Sequence, residues 1–191
     1  MAAGAPTWGE VQTKLAAGDV AGAAAACASY WDAVGGPDAR GDGDGSLREL
    51  TTRLTVWEQV ALFVREVDRR PRNPRSWKLL GYAYLRAGAY VPALLFAAEQ
   101  AFAASAAYTE DEPGRQNLEE KQELCRRAAA GDGDARAEIA SAEASFAAPF
   151  ETFPGAVPFP AAFVRAGVTT RAALELTAGA LAPDLRTLCE G

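Results

Sequence analysis

NPRSWKLLGYAYLRAGAYVPALLFAAEQAF, residues 73–102, is the stretch that decides the fold. Asn73 followed by Pro74 is a helix start: the Asn side chain can cap free N–H groups, and proline at the first helical position forfeits only a donor that has no partner there. Large side chains then recur at helical spacing as Trp77, Leu80 and Tyr84, which gives one apolar stripe. Gly88 is read as a turn, and Tyr90 onward as a second, alanine-rich helix. Two antiparallel helices are expected here. Across the rest of the chain, β-branched runs with period-two alternation are nearly missing, so the class is all-α.

Working outward, the same punctuation divides the flanks into hairpins. Upstream, Ser46 and Glu49 have the spacing of a capping box, predicting a helix through Leu50, Leu54, Trp57, Val60 and Val64 to about Asp68, stopped by Pro71. The segment Gly35–Gly45, GGPDARGDGDG, is too rich in Gly and Asp for helix and reads as a mobile loop. Before it, Trp8–Ala17 and Ala21–Val34 form a hairpin around Gly18-Asp19. Downstream, Arg115–Ala130 and Ala135–Ala147 form another around Gly131–Asp134. Residues 1–147 therefore read as one helical-hairpin domain. Residues 148–191 differ: Phe150, Phe153, Phe159 and Phe163 interleave with Pro149, Pro154, Pro158 and Pro160. That spacing demands an extended path, and a last helix follows over Thr170–Leu181. Two surfaces could bury these phenylalanines, the chain's own helices or a partner; the last helix, which otherwise has no core to join, favours the first.

Trp77, Leu80-Gly81, Tyr84, Gly88, Tyr90 and Ala93 together resemble the W-x2-L-G-x2-Y…A signature of the tetratricopeptide repeat, whose period is about 34 residues. Residues 74–107 make the clearest repeat. The resemblance implies a short α-solenoid of stacked antiparallel hairpins, with Gly81 and Ala93 where the paired helices touch. The other reading is an irregular bundle containing one repeat-like hairpin. The second helix departs from the family pattern at Ala97 and Gln100, where Phe96 and Phe102 supply the missing bulk. In this family the first helix of a pair lines a concave groove that receives a peptide, which makes Arg75, Lys78, Tyr82 and Arg86 the candidate partner-binding residues. Their three- and four-residue spacing places them on one side of the helix. One subclass reads a carboxylate with Lys and Asn four residues apart; Lys78 fits, but Tyr82 stands in the Asn position, which argues against chaperone tails.

Composition narrows the chemistry further. A formal charge of −6 opposes general attraction to nucleic acid or anionic lipid. The sequence has no histidine, which removes Ser-His, Cys-His and His-metal arrangements together. Cys27, Cys125 and Cys189 are an odd number without metal spacing, suited to a reducing compartment. The opening residues lack a signal-peptide pattern, so a cytoplasmic location is expected. Tyr90–Tyr108 has about the length of a membrane span but carries Glu99 and Gln100, and it reads as a buried helix.

Three further features have competing readings. Asp38–Glu49 has partial calcium-loop spacing, but Arg40 occupies a ligand position and helix capping explains Ser46 and Glu49. Arg65, Arg69, Arg70, Arg72 and Arg75 form a cationic cluster, either a solvated helix end or a site for an acidic segment. Cys125 has cations at 126 and 127 but lies on an apolar stripe, so core is the reading there. Glu119, Glu120 and Glu123 are read as a solvated face, with Arg115 and Arg127 as four-residue partners. Neither an enzyme nor a cofactor is expected. The functional expectation is a protein-binding adaptor, chaperone or assembly factor whose partner carries an acidic segment. The alternative is a structural subunit docking through the Phe/Pro segment.

Overall fold

The computed structural model describes residues 7–37, 44–144, 157–161 and 163. Among them lie eight helices and no strand: α1 (Trp8–Ala16), α2 (Val20–Val34), α3 (Asp44–Arg53), α4 (Val56–Arg69), α5 (Pro74–Tyr90), α6 (Leu94–Tyr108), α7 (Glu112–Ala129) and α8 (Gly133–Ala144). The all-α class follows, with sequential helices packed in contact. Side-chain caps set several starts: Asp19, Asn73 and Asp111 accept from the N–H groups of Gly22, Ser76 and Gly114. At the end of α2 the chain leaves through Gly35 at φ 93°, a left-handed residue that only glycine adopts cheaply.

Helices α7 and α8 start at Glu112 and Gly133, ahead of the expected Arg115 and Ala135, and two further differences from the sequence reading change the packing. The helix expected over Ser46–Asp68 is two helices, and the first begins at Asp44, ahead of Ser46. The capping box belongs to Thr55 and Glu58: the Thr55 hydroxyl accepts from the Glu58 N–H at 3.2 Å, while Glu58 Oε2 accepts from the Thr55 N–H at 2.8 Å. This restarts the helix as α4. Gln59 makes the break affordable in a buried place. Its amide donates to the carbonyls of Thr51 and Leu54 at 2.7 and 3.1 Å, supplying donors to oxygens that an ending helix leaves without them.

The second difference is the hairpin turn, which lies at Val91–Ala93 rather than at Gly88. Gly88 stays helical and buried because Leu95 occupies the space its side chain would take; a Cβ there would lie 2.5 Å from Leu95 Cδ2. Proline at 92 stops the helix instead, having no N–H to continue it. The later turn shifts α6, so Gly81 meets Phe102 and not Ala93. A Cβ at Gly81 would lie 2.7 Å from the Phe102 ring, while Ala93 packs in a smaller cluster with Val56, Trp57, Ala87, Val91 and Leu94. Small still meets large, with a different partner.

Helix α5 is the centre of the packing. It contacts α4, α6 and α8, and its Leu80 and Tyr84 are fully buried with Phe63 of α4 and Phe102 of α6. Residues 157–161 and 163 lie across it as a strap. Tyr84 Oη donates to the Pro158 carbonyl at 2.7 Å, Phe159 stacks on Tyr84, and Phe163 stacks on Trp77 with ring centroids 5.5 Å apart. Asp68 holds the same strap by accepting from the Ala161 N–H at 2.7 Å. The other phenylalanines named above, Phe150 and Phe153, lie outside the described residues, as do residues 38–43 of the Gly/Asp loop, residues 145–147 and the helix expected over Thr170–Leu181. Among the described residues no helix is long and apolar enough to cross a membrane. The apolar stretch Tyr90–Tyr108 is the end of α5, a turn, and the 15 residues of α6.

Candidate functional site: a cation-lined groove beside α5

Ridges of α5 and α6 interlock through Gly81 and Phe102, and beside this contact α5 borders α3 and the corner between α6 and α7. A groove of about 1050 Å³ runs there. Arg75, Lys78, Tyr82 and Arg86 all line it. From Arg75 to Arg86 the helix advances roughly 16 Å, the length of about five extended residues. Ser105 fixes one end by donating to the Pro74 carbonyl at 2.8 Å, tying the last turn of α6 to the first of α5.

The four residues are not equivalent. Lys78 is exposed, and Arg75 and Tyr82 are half-buried. Tyr82 is braced edge-on against Phe102 at 5.2 Å. Arg86 is only 8% exposed, and its Nη1 donates to Gln59 Oε1 at 2.7 Å. It therefore supports the α3–α4 break as well as lining the groove. Arg48 of α3 and Arg72 of the α4–α5 turn add to the lining, as do Glu110 and Asp111 on the far wall. Among the described lining residues five cations, Arg48, Arg72, Arg75, Lys78 and Arg86, face two carboxylates. In a chain of formal charge −6 this is a local reversal of sign. The α3 and α6–α7 contributions escaped the sequence reading, because no spacing along the chain shows which face of α5 a separate helix will flank.

The cationic cluster preceding α5 divides. Asp32 of α2 accepts from Arg65 at 3.3 Å and also pairs with Arg69. Arg70 donates Nη1 to both oxygens of Glu66 at 2.8 and 2.9 Å and Nη2 to the Trp31 carbonyl at 2.6 Å. These three fasten the end of α2 to α4, while Arg72 and Arg75 turn to the groove. Glu66 is 3% exposed, and burial raises its carboxyl above the ordinary range, with the Arg70 hydrogen bond and charge opposing that shift.

The remaining candidates within the described residues are buried or paired. Burial pushes the Cys125 thiol up to about 12, with Glu99 adding to the effect, so the thiolate that a nucleophile requires is suppressed. On α7 the expected pairings of Arg115 with Glu119 and Arg127 with Glu123 are replaced. Arg115 pairs with Glu112, Arg126 with Glu99 and Glu123, and Arg127 with Asp132 at 2.7 Å. Among the described residues no group of three Cys, Asp or Glu side chains is placed to hold a metal ion. The calcium-like spacing at Asp38–Glu49 lies partly outside the described residues. Comparison with family models, curated proteins and solved structures finds no match to this chain.

Proposed function

We propose that the chain is a non-catalytic, cytoplasmic protein-binding module, an adaptor, chaperone or assembly factor, that holds an acidic segment of a partner polypeptide in the groove beside α5. The observation that carries this reading is that Arg75, Lys78, Tyr82 and Arg86 line one groove with two further arginines. The tetratricopeptide resemblance of residues 74–107 supports it, since the groove lies along the first helix of the repeat-like pair. A partner segment with carboxylates would be drawn to this lining and repelled by the chain's overall negative charge elsewhere, which favours one docking position. The alternative, a subunit docking through its Phe/Pro segment, has less support. Phe159 and Phe163 would have to leave Tyr84 and Trp77 to reach a partner.

The test replaces Arg75 and Lys78 with Ala and leaves Arg86 in place, because Arg86 also holds Gln59. Titration with a labelled Glu/Asp-rich peptide should show binding weakened by about 1 kcal/mol at low ionic strength, with a flatter salt dependence and an unchanged circular-dichroism spectrum. Equal affinity in the double variant removes the groove as the docking site.

A further inference from the structure

The groove is more than a charged surface. Its lining includes Leu47, Leu79 and Tyr82, each half-buried, and Tyr108, which is 44% exposed; Phe63 and Leu118 of the core lie beneath. Among the described residues only Val34, Tyr90 and Tyr108 are large apolar side chains left exposed, and Tyr108 is the one on this groove. Tyr82 is held rigid by Phe102 behind it, and Lys78 stands one turn before it on the same helix face. Apolar floor and cationic rim therefore alternate along α5.

Charge alone makes a poor ligand for such a surface. Exposed ion pairs contribute little and are screened within about 8 Å at physiological salt. A purely acidic segment would leave the tyrosines and leucines against its own hydration shell. Seating one large apolar side chain there supplies a contribution that salt does not screen. Resting on the reading of the groove as a docking site for an acidic segment, we propose that its partner segment pairs carboxylates with a large apolar, preferably aromatic, side chain seated between Tyr82 and Tyr108. The carboxylates set orientation and encounter. The apolar anchor sets the lifetime of the complex.

Three labelled peptides of equal length test this on the full chain. One is acidic with a central Phe, the second is the same peptide with Ser for Phe, and the third keeps the Phe but replaces the acids with Gln. The acidic Phe peptide should bind about ten- to a hundredfold tighter than the Ser peptide at physiological salt, and Tyr108→Ser should erase that difference. Tyr90→Ser, at an exposed tyrosine away from the groove, should leave it intact. Equal binding of the Phe and Ser peptides, with both weakened in the Arg75→Ala, Lys78→Ala variant, overturns the anchor while the acidic groove stands. Binding of the Gln peptide as tightly as the acidic Phe peptide overturns the pairing of the two chemistries. Absence of binding by all three overturns the groove reading and the anchor with it.

Discussion

The two long sides of α5 have the same helix geometry and opposite characters. Toward α6 and the strap, every position is settled by contact: Gly81 is filled by Phe102, Gly88 by Leu95, and Trp77 and Tyr84 are covered by Phe163 and Phe159. Toward α3 and α7, the helix lines a groove with Arg75, Lys78 and Tyr82. The difference separates residues that specify the fold from residues that border a space a ligand could enter. Substitutions on the closed side should register in stability, and those on the open side in binding.

The largest effect expected on the closed side is from Gly81→Leu. A Cβ there would lie within 3 Å of the Phe102 ring, and the ring is fully buried, so overpacking should cost about 1–3 kcal/mol despite leucine's better helix propensity. Denaturant unfolding measures it. An unchanged midpoint would mean that Phe102 moves aside and the two helices are not locked at this level.

A smaller loss, about 1 kcal/mol, should follow Tyr84→Phe, which removes the hydrogen bond to the Pro158 carbonyl and keeps both stacked rings. Hydrogen exchange at Ala161 would sharpen the result. Faster exchange there, with α4 unaffected, assigns the loss to the strap; uniform acceleration would extend the closed side into the whole bundle.

The smallest effect concerns Glu66, which sits beside the first turn of α5 with Ser76 Oγ at 3.5 Å from its carboxylate. Burial raises its folded pKa above the ordinary 4.5, so the native state binds this proton more tightly than the unfolded chain. Its contribution is fully present below 4.5 and is lost as pH rises through the folded value. Stability of the native chain should therefore decline with pH just above 4.5, and Glu66→Gln should abolish that part of the slope. A slope unchanged in the variant would show that Arg70 holds the carboxylate charged throughout.

Sequence reading reached the helices because their signals are local. Asn73-Pro74, Gly18-Asp19 and Gly131–Asp134 punctuate the chain by backbone preference alone, and the structure uses all three. It misplaced the hairpin turn because Gly88 can serve either as a breaker or as room for a neighbour, and only Leu95, seven positions on, decides which. The Ser46–Glu49 pattern competed with Thr55–Glu58, an equally good box hidden inside an apolar run. For the groove, one wall was legible as a spacing on α5. Arg48 and Tyr108 come from helices α3 and α6, and the carboxylates at 110 and 111 from the α6–α7 connection, whose positions are set by tertiary packing. The division of the arginine cluster was not legible for the same reason, since Asp32 is more than thirty positions from Arg65.

Gln59 bears on how this sequence can drift. Its side chain donates to two carbonyls and accepts from Arg86, and among neutral side chains only an amide offers a two-proton donor and an acceptor on one planar group. Glutamate would keep the acceptor and lose both donors; leucine would lose all three contacts and strand a buried guanidinium. Change at position 59 is therefore coupled to change at 86, whereas the carbonyls at 51 and 54 belong to the backbone and require only that α3 end in the same way. In any homologue that spans this region, residues 59 and 86 should be inherited as a pair, even where the arginines and lysines of the rim have been exchanged for a different partner.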